Sequence, residues 1–281
     1  MAVDMAALTA DLAAETEDLT AMLAPLAGKD WELPTPAAGW AIRDQVSHLA
    51  YFDEAATLSA TDPGRFQLQA QQLMARLGAD FTEAIARDYR QLSPGELRDW
   101  LARARAEYLR VFAGLDPSAR LPWYGPPMSA ASSVTARLME TWAHGQDIAD
   151  ALGHQRQPTA RLRHVAHLGV ATMAFSFQLR GQPVPQTPVR VVLTPPGAGQ
   201  VPWTWGPPDA ADLVEGDALD FCLLVTQRRN RADTGLRATG PAAGAWLDLA
   251  QAFAGPPGPG RPPLAGTGPP GAGGPDEEEQ P

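Results

Sequence analysis

Residues 137–153, RLMETWAHGQDIADALG, decide how this chain is read. With Val134 just upstream, Leu138, Gly145, Ile148 and Leu152 recur at helical spacing, so a helix with one apolar stripe is expected over residues 132–152. Gly153 stands where a helix ends in the left-handed region. Glu140 and His144 lie four residues apart at the edge of the stripe, on the face that also carries Ser133, Arg137, Asp147 and Ala151. A carboxylate and an imidazole so placed can converge on one point. An ordinary i,i+4 contact on a solvated face has the same spacing, so the pair alone does not decide its chemistry.

The next residue of interest lies upstream. Trp40 leads into a second helix, expected over residues 42–60, with Ile42, Val46, Leu49, Phe52 and Ala56 on its apolar arc. His48 is aligned with Ala41, Gln45, Phe52 and Ala55, so it projects from a mostly apolar face. A satisfied core histidine is one reading. The other joins His48 to Glu140 and His144 as a facial ligand set that suits zinc, with a position open for water or substrate.

Around these two segments the pattern is helical. Leu8, Leu12, Leu19, Leu23 and Leu26 mark a first helix, and a third helical stretch is expected over residues 66–92. Ser93, Pro94 and Glu96 form a capping box that opens a helix to about residue 115. The loop of residues 116–128 holds four prolines around Trp123 and Tyr124, which can line a pocket mouth or pack the loop. Short connections between these helices imply an antiparallel bundle over residues 1–155. After Pro158 the texture changes. A helix over residues 161–179 precedes strands over 189–193 and 201–205, a strand and helix within 212–230, an extended piece near Leu236 and a helix over 243–254. This makes a small α+β domain over residues 156–255. The Pro/Gly-rich tail of residues 256–281 lacks apolar residues to offset its ordering entropy, and disorder is expected there.

Composition narrows the function. The 281 residues are 44% hydrophobic, enough for two domains with buried cores, and the mean hydropathy of -0.21 fits a soluble chain. No run approaches the roughly 20 apolar residues of a spanning helix, and the acidic N-terminus lacks the layout of a signal peptide. Cys222 is the single cysteine, so no intramolecular disulfide points to an oxidising compartment, and the cytoplasm is expected. A net charge of -10 argues against nucleic-acid and anionic-membrane partners, which need clustered cations. Lys29 is the only lysine among many arginines, and Ala, Gly and Pro abound, which reads as GC-rich coding.

The stretches LPTPAAGWAIRDQVSHLAYFDE (residues 33–54) and RLMETWAHGQDIADALG together resemble the metal-binding domain of the mycothiol-dependent maleylpyruvate isomerase family, part of the DinB-like four-helix group. The resemblance covers roughly residues 5–155. It implies a four-helix bundle with His48, Glu140 and His144 as metal ligands, and, less closely, a C-terminal domain similar to sterol-carrier-type α+β folds. The family's founding activity isomerises maleylpyruvate to fumarylpyruvate with a low-molecular-weight thiol; relatives transfer such thiols or bind metal without an assigned reaction. Addition of a thiolate to a conjugated acceptor, rotation and expulsion isomerises a cis double bond. The same addition without expulsion is S-transfer. GC-rich coding fits an actinobacterial source, in which mycothiol is the available thiol.

In the isomerase pattern a C-terminal arginine meets the substrate carboxylates. Arg228 is the nearest match, with Arg229 and Arg231 as rivals, and a solvated basic helix end is the alternative. A similarity to a domain named for wyosine base formation is also expected around the His144 helix. A chain with one cysteine cannot hold a radical iron–sulfur cluster, which excludes tRNA chemistry of that kind. His164 and His167, three apart with His154 upstream, could make a second metal site, but without an acidic or thiol partner they read as packing or interface residues, and Cys222 as an inert buried thiol. Three functions therefore stand: a thiol-dependent isomerase or S-transferase acting on a small electrophile, a hydrolase or lyase using metal-bound water, and a non-catalytic metal- or ligand-binding protein.

Overall fold

The computed structural model describes residues 3–78, 81–258 and 260–264. Helix α1 (Met5–Leu23) starts where the Asp4 carboxylate accepts from the N–H groups of Ala6 and Ala7, at 3.0 and 3.2 Å. Helix α2 (Ile42–Thr61) is opened by Asp44, whose buried carboxylate takes the N–H of Ala41 at 2.8 Å and the Arg90 guanidinium at 2.9 Å. The expected capping box opens α5 (Pro94–Phe112), with Ser93 N–H to Glu96 at 2.7 Å and Glu96 N–H to the Ser93 hydroxyl at 3.3 Å.

The single helix expected over residues 66–92 is two helices. Helix α3 (Pro63–Leu77) stops at Gly78, which takes a φ of 64°, and α4 (Phe81–Asp88) follows. Two short strands, β1 (Arg120–Leu121) and β2 (Met128–Ser129), pair across the proline-rich loop. Helix α6 (Ala130–Leu152) then runs to Gly153 in the left-handed conformation, as expected. Helices α1, α2, α5 and α6 pack on one another. Helix α6 is not the half-solvated helix its charges imply. From Ser133 to Ala149 almost every residue is buried, Arg137, Thr141 and Asp147 included, so its polar side chains need partners inside the protein.

The helix expected over residues 161–179 also breaks in two, α7 (Leu162–Ala171) and α8 (Met173–Leu179). At the join the Thr172 hydroxyl bonds to the carbonyls of Leu168 and Gly169, at 2.9 and 3.1 Å, competing with the backbone ladder. A four-stranded mixed sheet follows: β3 (Val189–Thr194), β4 (Trp203–Trp205), β5 (Asp212–Asp217) and β6 (Arg237–Thr239), in the order β4-β3-β5-β6. The β3–β5 pair is parallel and the others antiparallel. Helix α9 (Ala218–Val225) leaves β5, and α10 (Pro241–Leu249) closes the fold. Its first N–H groups, of Ala242 and Ala243, are held by Asp212 at 2.6 and 3.0 Å. Gly240 is required beside that contact: its φ is 86°, and a Cβ there would lie 2.4 Å from the Asp212 carboxylate.

The division expected at residues 155/156 falls between α6 and α7. One apolar cluster crosses it, running from Leu12, Tyr108 and Val134 through Leu162 and Phe221 to Val191, Val214 and Trp246. Glu15, 1% exposed, ties α1 to the same connection through Arg156 and, at 2.8 Å, Arg161. The tail expected to begin at residue 256 contributes Arg261, which is ion-paired with Asp147 and Asp150 of α6; residues 265–281 lie outside the described residues.

Candidate metal centre

His48 on α2 and Glu140 and His144 on α6 come together, with one ligand atom from each within 4.8 Å of the others. The Glu140 carboxylate oxygen Oε2 lies 3.0 Å from His144 Nε2 and 3.5 Å from His48 Nε2. Their side chains are 12%, 22% and 10% exposed in the order His48, Glu140, His144, so the cluster is sunk into the protein but keeps a mouth.

Hydrogen bonding decides where the His144 protons sit. The backbone carbonyl of Trp40 can only accept, so the Thr35 hydroxyl donates to it, at 2.9 Å. With its proton used, Thr35 accepts from the Gln45 amide nitrogen at 2.8 Å. The remaining Gln45 atom, its oxygen, faces His144 Nδ1, which must carry a hydrogen. His144 Nε2 therefore directs a lone pair at the ionised Glu140, and that contact is favourable only with a positive species between them, a second proton or a metal ion. This relay fits the residues to a metal, because a ligand imidazole is commonly oriented by a bond from its other nitrogen.

Electrostatics agree. Burial, and after it the neighbouring His144, hold the pKa of His48 down at about 4 against the pull of Glu140, so the ring is neutral at ordinary pH with a lone pair to give. Burial opposes the charged form of Glu140, but its contacts with His144 and His48 outweigh this and keep the carboxyl well below its usual range. His48 Nδ1 is buried without a hydrogen-bond partner among the described residues. A nitrogen, an oxygen and a nitrogen on two helices could thus hold one divalent ion.

The walls are aromatic. The Trp40 ring stacks on His144 with centroids 5.9 Å apart and tilts against His48 at 5.4 Å. Behind His48, Phe52 lies at 4.6 Å and leads into Trp123 and Tyr124, which pack on Phe66 rather than standing free in the loop. Beneath, Asp53 is fully buried between Arg105, at 2.6 Å, and Arg137, at 2.9 Å. Arg105 also reaches Thr141, at 3.0 Å, next to Glu140 in the chain. Periodicity placed Gln45 beside His48 but could not show its bond to His144, and nothing in the spacing singled out Thr35 or Asp53.

The other candidates have different settings. Arg228 bonds to Asp147 at 2.8 Å and to the Thr226 carbonyl at 2.7 Å, not to the three ligand candidates. Its rivals are occupied too: Arg229 with Asp150 at 2.6 Å and Arg231 with Asp248 at 2.5 Å. These are ion pairs, not the free cations of a solvated helix end. His164 does have an acidic partner, Asp11 at 2.7 Å, which lies too far off in the chain for local spacing to show. His167 accepts from Trp205 at 3.3 Å. Cys222 is buried and its thiol is pushed above its usual pKa, as an inert thiol should be.

Residues 12–149 match the family described as mycothiol maleylpyruvate isomerase N-terminal domain, a span that contains all three ligand candidates. The chain belongs to the mycothiol-dependent maleylpyruvate isomerase family. Two uncharacterized proteins of Mycobacterium tuberculosis, from strains CDC 1551 / Oshkosh and ATCC 25618 / H37Rv, are each 46% identical over 262 residues, covering 92% of this chain and 99% of theirs. Crystal structures of a mycothiol-dependent maleylpyruvate isomerase and of its histidine-to-alanine mutant share the fold, with TM-scores of 0.55 and 0.56 at 14% identity. Each similarity covers 86% of this chain and 96% of the other. The family's helix-rich fold with a small mixed sheet is thus present here. Residues 197–238 match a second family, described as wyosine base formation. That match falls on β4, β5, α9 and β6, not around the His144 helix as the sequence reading has it.

Proposed function

We propose that this protein holds one divalent metal ion, zinc by the character of its donors, at His48, Glu140 and His144. With it the protein acts as a mycothiol-dependent isomerase or S-transferase on a small electrophilic metabolite in the cytoplasm. The observation that carries the reading is the relay from Trp40 through Thr35 and Gln45 to His144, which turns the Nε2 lone pair toward Glu140. A divalent ion in such a site supplies Lewis acidity that makes a bound thiol or water nucleophilic at neutral pH. The protein's own residues do the rest. Gln45 and Trp40 orient the imidazoles, the aromatic wall from Phe52 to Tyr124 restricts water, and Arg228, held by Asp147 about one turn beyond His144 on α6, is the cation offered to a substrate carboxylate. In this reading α1, α2, α5 and α6 are the DinB-like four-helix bundle of residues 1–155, and residues 156–255 are the sterol-carrier-like domain that brings Arg228 to it.

Cobalt substitution tests the thiol. Titrating mycothiol into the cobalt protein, with cysteine as control, should raise a saturable sulfur-to-metal charge-transfer band in the near ultraviolet. Cys222→Ser should leave the titration unchanged, since Cys222 is buried in the α9 region. A protein that keeps its cobalt but shows no band at saturating thiol rules out thiol chemistry and leaves water activation or simple binding.

A further inference from the structure

A second polar site lies at the C-terminal end of α9, against the edge of the apolar core. The helix ends in a Schellman turn, with the N–H of Gln227 on the Leu224 carbonyl at 2.9 Å and that of Arg228 on the Leu223 carbonyl at 2.7 Å. The left-handed position of such a turn normally takes glycine. Here it holds Gln227, at a φ of 58°, the one non-glycine residue with positive φ among the described residues. A strained position of this kind persists only where its surroundings hold it, and it often marks a functional site.

The turn throws successive side chains in different directions. Arg228 goes to Asp147, while Arg229 and Arg231 help to enclose a cavity of about 310 Å³ with Arg180 and Arg261. Leu224, Leu247 and Ala250 give it an apolar floor. Neither the two histidines nor the glutamate of the metal centre lines it.

The charges here are unequally served. Arg229 and Arg261 share Asp150, and Arg231 takes Asp248. Arg180 has no acid among the described residues. Its guanidinium reaches only neutral oxygens, the Ser176 carbonyl at 3.3 Å and the Gln251 side chain at 3.4 Å, and burial lowers its pKa. A half-buried guanidinium without an anion costs free energy that a bound oxyanion returns. The volume is at the small end for ligand sites. Forked cations at several points of the wall, which Asp248 also lines, over an apolar floor, match a short carbon chain carrying two negative charges.

We infer that this cavity binds a small organic dianion, a dicarboxylate or a phosphate ester, through Arg180 and Arg231, at a site separate from the metal centre. Calorimetric titration of the full-length, metal-loaded protein with succinate and with glycerol 3-phosphate tests this, with acetate as the singly charged control. At least one dianion should bind one-to-one, at least tenfold more tightly than acetate; whichever binds better names the oxyanion. Arg180→Gln should weaken that binding at least tenfold, with metal content and circular dichroism unchanged. Arg231→Gln, on a different element, should weaken it too and serves as the test if Arg180→Gln fails to fold. Metal-free protein should bind the dianion as well as the loaded form. No saturable dianion binding, an affinity untouched by both substitutions in folded protein, or binding that vanishes with the metal would each overturn the inference.

Discussion

The amide oxygen of Gln45 accepts the Nδ1 proton of His144, joining α2 to α6 at the metal centre. Replacing the amide removes the orientation but no ligand. Gln45→Leu should therefore keep the fold and weaken zinc binding by about 10–100-fold, the range for lost outer partners of metal ligands. Competition with a chromophoric chelator measures this directly. An affinity within twofold of wild type would show that His144 is oriented by something else.

The ligands themselves have a sharper test. Purified protein should carry about one zinc-like ion per chain, and His48→Ala or His144→Ala should abolish it. Elemental analysis of the purified variants decides the matter. Stoichiometric metal in the double variant would eliminate the site.

Asp53 makes the prediction about stability. It is the carboxylate between Arg105 and Arg137, all three buried. Asp53→Ala leaves two guanidiniums facing each other without an anion, and a cost of about 3–5 kcal/mol is expected in denaturant unfolding. A loss under 1 kcal/mol would mean that water takes over the role.

Arg228 can be separated from its ion pair. If it meets substrate, Arg228→Lys should lower kcat/KM at least tenfold with metal content intact, because a lysine cannot reproduce the fork. Asp147→Asn, which loosens the same contact from the other side, should lower the melting temperature more than it lowers kcat/KM. Equal effects of the two substitutions on stability and turnover would make Arg228 a docking residue only.

Arg261 divides the tail. Removing residues 265–281 should leave the melting temperature unchanged, as composition suggests. Removal from residue 258 onward takes away Arg261, one of the two arginines on Asp147 and a partner of Asp150, and should lower it by several degrees. Equal melting temperatures for the two truncations would show that Arg261 contributes nothing to stability.

Much of this was legible in the sequence, for identifiable reasons. Helix α6 and its Glu140–His144 pair announce themselves through periodicity, and Ser93–Glu96 through a local capping rule that needs no tertiary contact. The breaks at Gly78 and Thr172 were not visible, because a lone glycine or threonine within a helical pattern carries only a small propensity cost. Gln45 and Asp53 escaped for a different reason: their partners, His144, Arg105 and Arg137, lie on other helices. Spacing reports neighbours on the same helix, whereas these bonds cross between helices. Arg261 was hidden by the proline and glycine around it, which carry no information about one arginine's ion pair.

Helix α6 carries Glu140 and His144 in its middle and then Asp147 and Asp150, which hold Arg228, Arg229 and Arg261. One added or deleted residue between His144 and Asp147 would rotate the two acids by about 100° relative to the metal pair. No shift of a neighbouring loop could restore both sets of contacts. The stretch from Glu140 to Asp150 should therefore tolerate substitution far better than any change of length, and insertions in this lineage should accumulate in the connections around the helix, never inside it.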